Sequence, residues 1–384
     1  MTAIRNEQST TVEGRLHMAF ELGWHEWKLA FTIGHGQSPR LRTIRARDVA
    51  ALQREIAKAK ARFRLPADAA VVSCYEAGRD GFWLHRYLET AGVRNVVVDS
   101  SSIEVNRRRR RAKSDRLDAN KLVTMLLRYH AGEIKVWSVV RVPSVADEDG
   151  RRLHRELRQL KDERTGHINR IKGLLACQGV QLSTLNAGFA ERLPTMRLWD
   201  DKELGADLRA EVLREFERWQ LIDRQIKAVE QERRQRVRSD ATPHVAQVRQ
   251  LLKLSGVGFN GAWMLVMELF GWRRIKNRKQ LGALVGLTPT PYQSGSSAKE
   301  QGISKAGNRH LRQMMVELAW CWVRWQPESA LSQWFCARFG VGGGGTRKVG
   351  IVALARKLLI AFWRYLEHGE IPQGATLKVR SPAA

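Results

Sequence analysis

The sequence predicts an α/β N-terminal region, a long helical spacer and a mainly α C-terminal region, and three observations carry that reading. Strand-like segments crowd the chain up to about residue 100, apolar residues recur at three- and four-residue intervals from Asp147, and the segment beyond 241 is helical, Trp-rich and broken by glycine turns. The boundaries so read are 1–145, 146–240 and 241–384.

From Leu16, "LHMAFELGWHEWKLAFTIG" and then "SPRLRTIRA" give three short strands separated by "GWHE" and "GHGQSP", the pattern of an antiparallel meander. A helix around 47–62 follows, then the apolar run "AAVVSCYEAG" at 69–78, a helix-like "GFWLHRYLETAG", the strand "NVVVDS" at 95–100, an arginine run, and a helix from about 115 to 130. Three hairpin strands followed by alternating helices and strands is the order of the RNase H-like fold. From Asp147 to Gly179 and from Leu204 to Ser239, stretches such as "LHRELRQLKDER" and "LREFERWQLIDRQIKAVEQERRQ" read as long amphipathic helices of a coiled coil, paired within the chain or between chains. A plain spacer and a dimerisation device fit that pattern equally.

In the last region, "VRQLLKLSGVGFNGAWMLVMELF" places a "SGVG" turn between two helices, like a helix-hairpin-helix whose backbone N–H groups meet a phosphate without reading bases. The chain then crosses "GVGGGGTRK", read as flexible, and ends in the basic helix "IVALARKLLIAFWRYL".

Composition narrows the partner. The 66 Lys and Arg against 39 Asp and Glu give a formal charge of +27 over 384 residues, so a polyanion is expected. No apolar run is long enough to span a bilayer, and "MTAIRNEQSTTVEGR" lacks a signal-peptide core, which favours nucleic acid over membrane and points to a prokaryotic cytoplasm. Cys74, Cys177, Cys321 and Cys336 show no CxxC spacing, which argues against a zinc site or a disulfide framework.

The stretch "NRRRRRAKSDRLDANKL" sets five arginines directly ahead of two aspartates. On a helix, Asp115 and Asp118 share a face and can share a divalent ion. Strand-borne acids opposite them would complete a site: Glu21 in "MAFELG", on what should be a central strand where an uncompensated carboxylate is costly to bury, and Glu76 in "SCYEAG". Ser114 and Asp115 also suit a helix N-terminus, and Asp118 its positive dipole end, without any metal, so the pair alone leaves both readings open. Asp99 and Glu104 are further acids that spacing does not exclude. The cations Arg107, Arg108, Arg109, Arg110, Arg111 and Lys113 would bring a phosphate backbone to carboxylates that alone would repel it.

The acid of the first strand, "YEAG" and "KSDRLDA", followed downstream by "GLTPTPYQSG" and "GISKAGNRHLR", resemble the DEDD-type insertion-sequence transposases over nearly the whole chain. That family is related to the Piv-type invertases and is described as bridge-RNA-guided serine recombinases. The resemblance implies a RuvC-like N-terminal domain with a Mg2+ (or Mn2+) tetrad, carried onto Glu21, Glu76, Asp115 and Asp118, and a C-terminal transposase domain in which "YQSG" nominates Ser294 as nucleophile. Glu21 departs from the usual Asp at the first acid. Also implied are donor and target DNA, a guide non-coding RNA and a homo-oligomer, dimer or tetramer, as partners.

A serine attacking a phosphodiester needs its proton withdrawn and the developing charge absorbed, for which Lys299, Lys305, Arg309 and Arg312 lie nearby in sequence. By composition alone "PTPYQSGSS" is turn-rich, and Ser296, Ser297, Ser304 and Tyr292 are rival hydroxyls. His25, His85 and His310 lack partners at ligand spacing, and the tryptophans read mostly as core, with a few available to stack on RNA bases. Two other functions stay open: a junction-resolving nuclease in which water attacks, and a non-catalytic basic nucleic-acid-binding protein whose acids are helix caps.

Overall fold

The computed structural model describes residues 14–103, 115–294, 297–340 and 343–378, and the side chains of all of these except 115–117, 292–294 and 297–301. The chain divides into two compact units, 1–142 and 143–384.

The N-terminal unit is built on a five-stranded sheet of order β3-β2-β1-β4-β5. Strands β1 (Leu16–Leu22), β2 (Glu26–Thr32) and β3 (Arg40–Arg45) form the expected antiparallel meander. The strand β4 (Val71–Glu76) returns parallel to β1, and β5 (Val93–Val98) lies parallel to β4. Helices α1 (Val49–Arg62), α2 (Trp83–Thr90) and α3 (Asp115–His130) fill the intervals the sequence assigned to helix.

Strand side chains alternate between faces, and here each face has its own helices. Met18, Phe20, Leu29 and Tyr75 pack with Leu52 and Ile56 of α1 and Leu84 and Leu88 of α2. Ala19, Ala30, Val72 and Cys74 pack instead with Ala119, Leu122, Val123 and Leu126 of α3. Ala19 pairs with Ala30 in register, so two small side chains let α3 lie close over the middle of the sheet. By the same period of two, Glu21 shares the α3 face with Ala19, and Glu76 shares it with Cys74.

The second unit is almost entirely helical: α4 (Val145–Gly150), α5 (Arg152–Ala176), α6 (Phe189–Arg192), α7 (Ala206–Ser239), α8 (Pro243–Leu252), α9 (Phe259–Leu265), α10 (Arg278–Val285), α11 (Arg309–Trp325), α12 (Ala330–Phe339) and α13 (Gly344–His368). A two-stranded hairpin, β6 (Pro289–Ser294) with β7 (Ser297–Ile303), is set between α10 and α11. The long helices α5 and α7 run antiparallel within one chain, since Lys161 pairs with Glu230, Arg164 with Asp223 and Arg170 with Glu215. At one end they enclose Ile171, Leu175, Phe189, Phe216 and Trp219, and at the other Leu153, Leu157, Ile222 and Ile226 join the core of the helices that follow.

Two readings of the sequence change here. "GVGGGGTRK" is not a flexible crossing throughout, because α13 begins at Gly344, and its Ile351, Leu354, Leu358 and Phe362 make it the buried axis of the unit. The "SGVG" turn does join α8 to α9, but the Ser255 N–H donates to the Thr376 carbonyl and the Val257 N–H to the Leu254 carbonyl. Gln326 Nε2 donates to the Ser255 and Thr376 carbonyls, so the returning C-terminal segment braces the turn, and of its N–H groups those of Ser255 and Val257 are already engaged. All four cysteines are free, and no helix among the described residues is long and apolar enough to cross a membrane.

Candidate active site

Three of the four nominated carboxylates open onto one cleft. Glu21 near the end of β1, Glu76 at the end of β4 and Asp118 in the first turn of α3 line a cavity of about 440 Å³, together with Arg79, Asp80 and Ser100. Local sequence explains the convergence: strand alternation puts both glutamates on the α3 face, and Asp118 sits one helical turn before Leu122, which is buried against that face. Lys28 lies opposite Glu21 in the β1–β2 register.

Asp115 begins α3, and its side chain lies outside the described residues, as do Glu104, Arg107, Arg108, Arg109, Arg110, Arg111, Lys113 and Ser114 altogether. The rival Asp99 is not in the lining of this cleft, and its Oδ1 accepts from the backbone N–H and the hydroxyl of Ser101 at 2.9 Å. Among the described residues no group of three or more His, Cys, Asp or Glu draws close enough to hold a metal ion. The donors that line the cleft are nonetheless oxygens, four of them carboxylates and none a thiolate or imidazole, the hard ligands that suit Mg2+ or Mn2+ rather than a soft metal.

Ser294 ends β6, its backbone paired in register with Ser297 of β7. The turn-rich composition of "PTPYQSGSS" therefore hides a β-hairpin. Its base is held by two glycines: Gly286, the left-handed cap of α10 at φ +71, would as alanine put a Cβ 1.9 Å from the Ala306 carbonyl, and Gly307, at φ +84, 2.4 Å from that of Leu284. Backbone bonds from Ser304 N to Thr288 O (2.8 Å), Lys305 N to Gly286 O (3.2 Å) and Asn308 N to Leu284 O (3.0 Å) close the mount. Asn308 then caps α11.

Of the cations nominated near the serine, Lys305 and Arg309 are exposed, and the Lys299 side chain lies outside the described residues. Arg312 Nη1 donates to the Val285 carbonyl at 3.1 Å and so helps hold the hairpin base. Among the rival hydroxyls, Ser304 Oγ is buried with no hydrogen-bond partner among the described residues, Ser296 lies outside them, and so do the side chains of Tyr292 and Ser297. His25 is exposed, His310 is half-buried, and His85 Nδ1 meets Asn95 Nδ2 at 3.0 Å.

A buried charge cluster in the second unit escaped the sequence reading. Glu268, in the π-helical continuation of α9, binds His154 Nε2 at 2.8 Å and Arg155 Nε at 2.6 Å, both from the start of α5. Burial pushes the Glu268 carboxyl up, but the hydrogen bonds from His154 and Arg155 outweigh it and hold the group at about 2. Burial pulls His154 below its ordinary value despite its acidic neighbour, and its Nδ1 has no partner among the described residues. The imidazole is therefore neutral and donates from Nε2, and Arg155 is the ionic partner. The signal was the lone acid in the apolar run "WMLVMELF".

Residues 248–333 match the family model described as Transposase IS116/IS110/IS902 family. The chain is 41% identical over 377 residues, 95% of each chain, to "Putative transposase y4rJ" of Sinorhizobium fredii. It is 29% identical over 265 residues, 67% of this chain and 60% of the relative, to "Putative transposase y4qE" of the same organism. To the "Transposase for insertion sequence element IS1328" of Yersinia enterocolitica it is 27% identical over 224 residues, 57% of this chain and 63% of that one.

Proposed function

Because the chain belongs to the IS116/IS110/IS902 family of insertion-sequence transposases, we propose that it breaks and rejoins DNA strands with Ser294 as nucleophile and with Glu21, Glu76, Asp115 and Asp118 as ligands of Mg2+ or Mn2+. The observation that carries this reading is the cleft into which Glu21, Glu76 and Asp118 converge from three separate elements. The strand order β3-β2-β1-β4-β5, with a helix over the carboxylate face, supports an RNase H-like, RuvC-like identity for the first unit. Held by these acids, the cation would supply Lewis-acid stabilisation of the phosphoryl and leaving oxygens.

The remaining chemistry belongs to the chain. The Ser294 hydroxyl loses its proton as its oxygen bonds to phosphorus, the bond from phosphorus to the departing strand oxygen breaks, and that oxygen takes up a proton. The broken strand is kept as a phosphoserine ester, which a hydroxyl of the incoming strand reverses without an external energy source. Lys305 and Arg309, exposed beside the hairpin, would face the charge that develops on the phosphoryl oxygens. The β6–β7 hairpin, hydrogen-bonded at its base and carrying Ser294 at the end of β6, suits a nucleophile that must be presented to a substrate. By resemblance, the reading extends to guidance by a structured non-coding RNA and to assembly as a homo-oligomer.

The test is to incubate the purified protein with candidate RNA, labelled donor and target DNA, and Mg2+ or EDTA. A denaturation-resistant protein–DNA adduct is expected from the wild type with Mg2+ and absent from Ser294→Ala and from the EDTA reaction. Strand cleavage that persists in Ser294→Ala without adduct would replace the serine by water, and wild-type protein that cleaves nothing removes the reading.

A further inference from the structure

Beside the carboxylates, the rim of the cleft carries a group of residues that the proposed chemistry leaves unused. Trp24 stands 55% exposed on the tight turn between β1 and β2. That turn requires Gly23, where a Cβ would lie 2.4 Å from the Glu26 carbonyl. The guanidinium carbons of Arg47 and Arg79 each lie 4.8 Å from the centroid of the indole. Asp80 ties them together, one oxygen 3.3 Å from Arg47 Nη2 and the other 3.5 Å from Arg79 Nη2. The Asp80 side chain is 6% exposed, whereas those of Arg47 and Arg79 are 48% and 54% exposed. Arg79 and Asp80 line the same cleft as Glu21, Glu76 and Asp118.

Two features set this group apart from an ordinary surface ion pair. Arg47 holds a left-handed backbone at φ 66, an uncommon conformation for a residue with a β-carbon, so its side chain is aimed at some cost. Guanidinium groups that stack on a ring by their faces keep their in-plane N–H donors for acceptors at the edge. Each arginine here directs one such donor to Asp80, and the remaining donors of both half-exposed forks stay at the rim. One buried anion against two cations leaves the group net positive beside a cleft whose carboxylates repel phosphate.

We propose that Arg47 and Arg79, stacked on Trp24 and oriented by Asp80, form a phosphodiester clamp that grips the backbone of the DNA strand entering the carboxylate cleft. The proposal rests on the function given above. The arginines are the binding groups, and Trp24 and Asp80 are positioning residues. RNA offers the same phosphodiester chemistry, so the test separates the two sources.

The affinity of the full chain for a fluorescein-labelled DNA oligonucleotide, and for an RNA of the same sequence, is measured across a salt series for four proteins. Arg47→Gln with Arg79→Gln is expected to weaken DNA binding about tenfold and to flatten the salt dependence by one to two counterions, roughly one for each phosphate that the arginines no longer neutralise. Trp24→Phe, which keeps a ring under the arginines, is expected to keep the slope. Asp80→Asn is the sharpest arm: it raises the net charge by one, so undirected electrostatics predicts tighter binding, whereas loss of the anchor for both forks predicts weaker binding.

Asp80→Asn that binds DNA as tightly as the wild type or more so, or a glutamine pair with an unchanged DNA slope, overturns the clamp. So does a glutamine pair that loses RNA affinity alone. If Asp80→Asn melts early, the exposed glutamine pair carries the test. Binding is read without strand cleavage, so failure of the Ser294 adduct and failure of the clamp are separate results.

Discussion

Glu268 carries a full negative charge inside the helical core of the second unit, and its position makes the cost of losing it measurable. Its carboxyl, ordinarily near 4.5, is held at about 2 by Arg155 and His154. A carboxyl depressed on folding stabilises the native state above the unfolded value, and that stabilisation drains away as pH falls from about 4.5 toward 2. Glu268→Gln, which keeps the shape and can still hydrogen-bond, is therefore expected to lower the denaturant midpoint at pH 7 and to converge on the wild type as the solution is acidified through that window. A gap that stays constant down to pH 2 would show that the carboxylate contributes nothing through its charge. The sequence shows an acid stranded among apolar residues. It does not show that His154 and Arg155, more than a hundred residues earlier, arrive at its two oxygens, because that meeting is made by the packing of α5 on α9 and its π-helical continuation.

Among the elements, the strands and helices of the first unit follow from periodicity, and so does half of the candidate site. Alternation along "LHMAFEL" and "VVSCYE" fixes which face Glu21 and Glu76 occupy, and the helical period places Asp118 one turn before Leu122, which is buried against that face. The hairpin bearing Ser294 is different. Pro289 and Pro291 remove strand-type N–H donors, and the register shifts between them, so the segment reads as turn from composition while pairing as β6 and β7. What holds the hairpin is equally hidden, since Gly286 and Gly307 matter through their approach to the carbonyls of Ala306 and Leu284. This separates two substitutions of the same kind. Gly302→Ala faces open space at φ +84 and should bear only the backbone strain of a left-handed L-residue, about 1–2 kcal/mol. Gly286→Ala, with similar strain and a carbonyl 1.9 Å away, must shift the hairpin base. Adduct yield at Ser294 is expected to fall at least tenfold in Gly286→Ala and to stay within about twofold in Gly302→Ala. Equal yields from the two would mean that the geometry of the base does not position the nucleophile.

For the whole molecule, the charge of +27 is the most legible property and the easiest to overcount. Many cations are engaged within the fold: Arg40 with Glu55, Arg155 with Glu268, Arg164 with Asp223, and Arg170 and Arg218 with Glu215. Arg233 is buried between Phe259 and Trp263, where loss of solvation draws it down to about 10, leaving it charged at neutral pH yet unavailable to a ligand. The ion pairs are already netted out of the formal excess, so Arg233 shows only that part of that excess is out of reach, and the salt dependence of affinity measures directly how many of the surplus cations meet a bound duplex. Each neutralised phosphate of a duplex contributes about 0.9 to the slope of log affinity against log salt, and about six to ten of them amount to a loss of roughly a thousandfold or more between 50 and 200 mM. That fall is expected for duplex DNA titrated with the full chain by fluorescence anisotropy. A loss under tenfold over the same range would mean that the surplus arginines and lysines do not meet the phosphate backbone, and the partner inferred from composition would have to be abandoned.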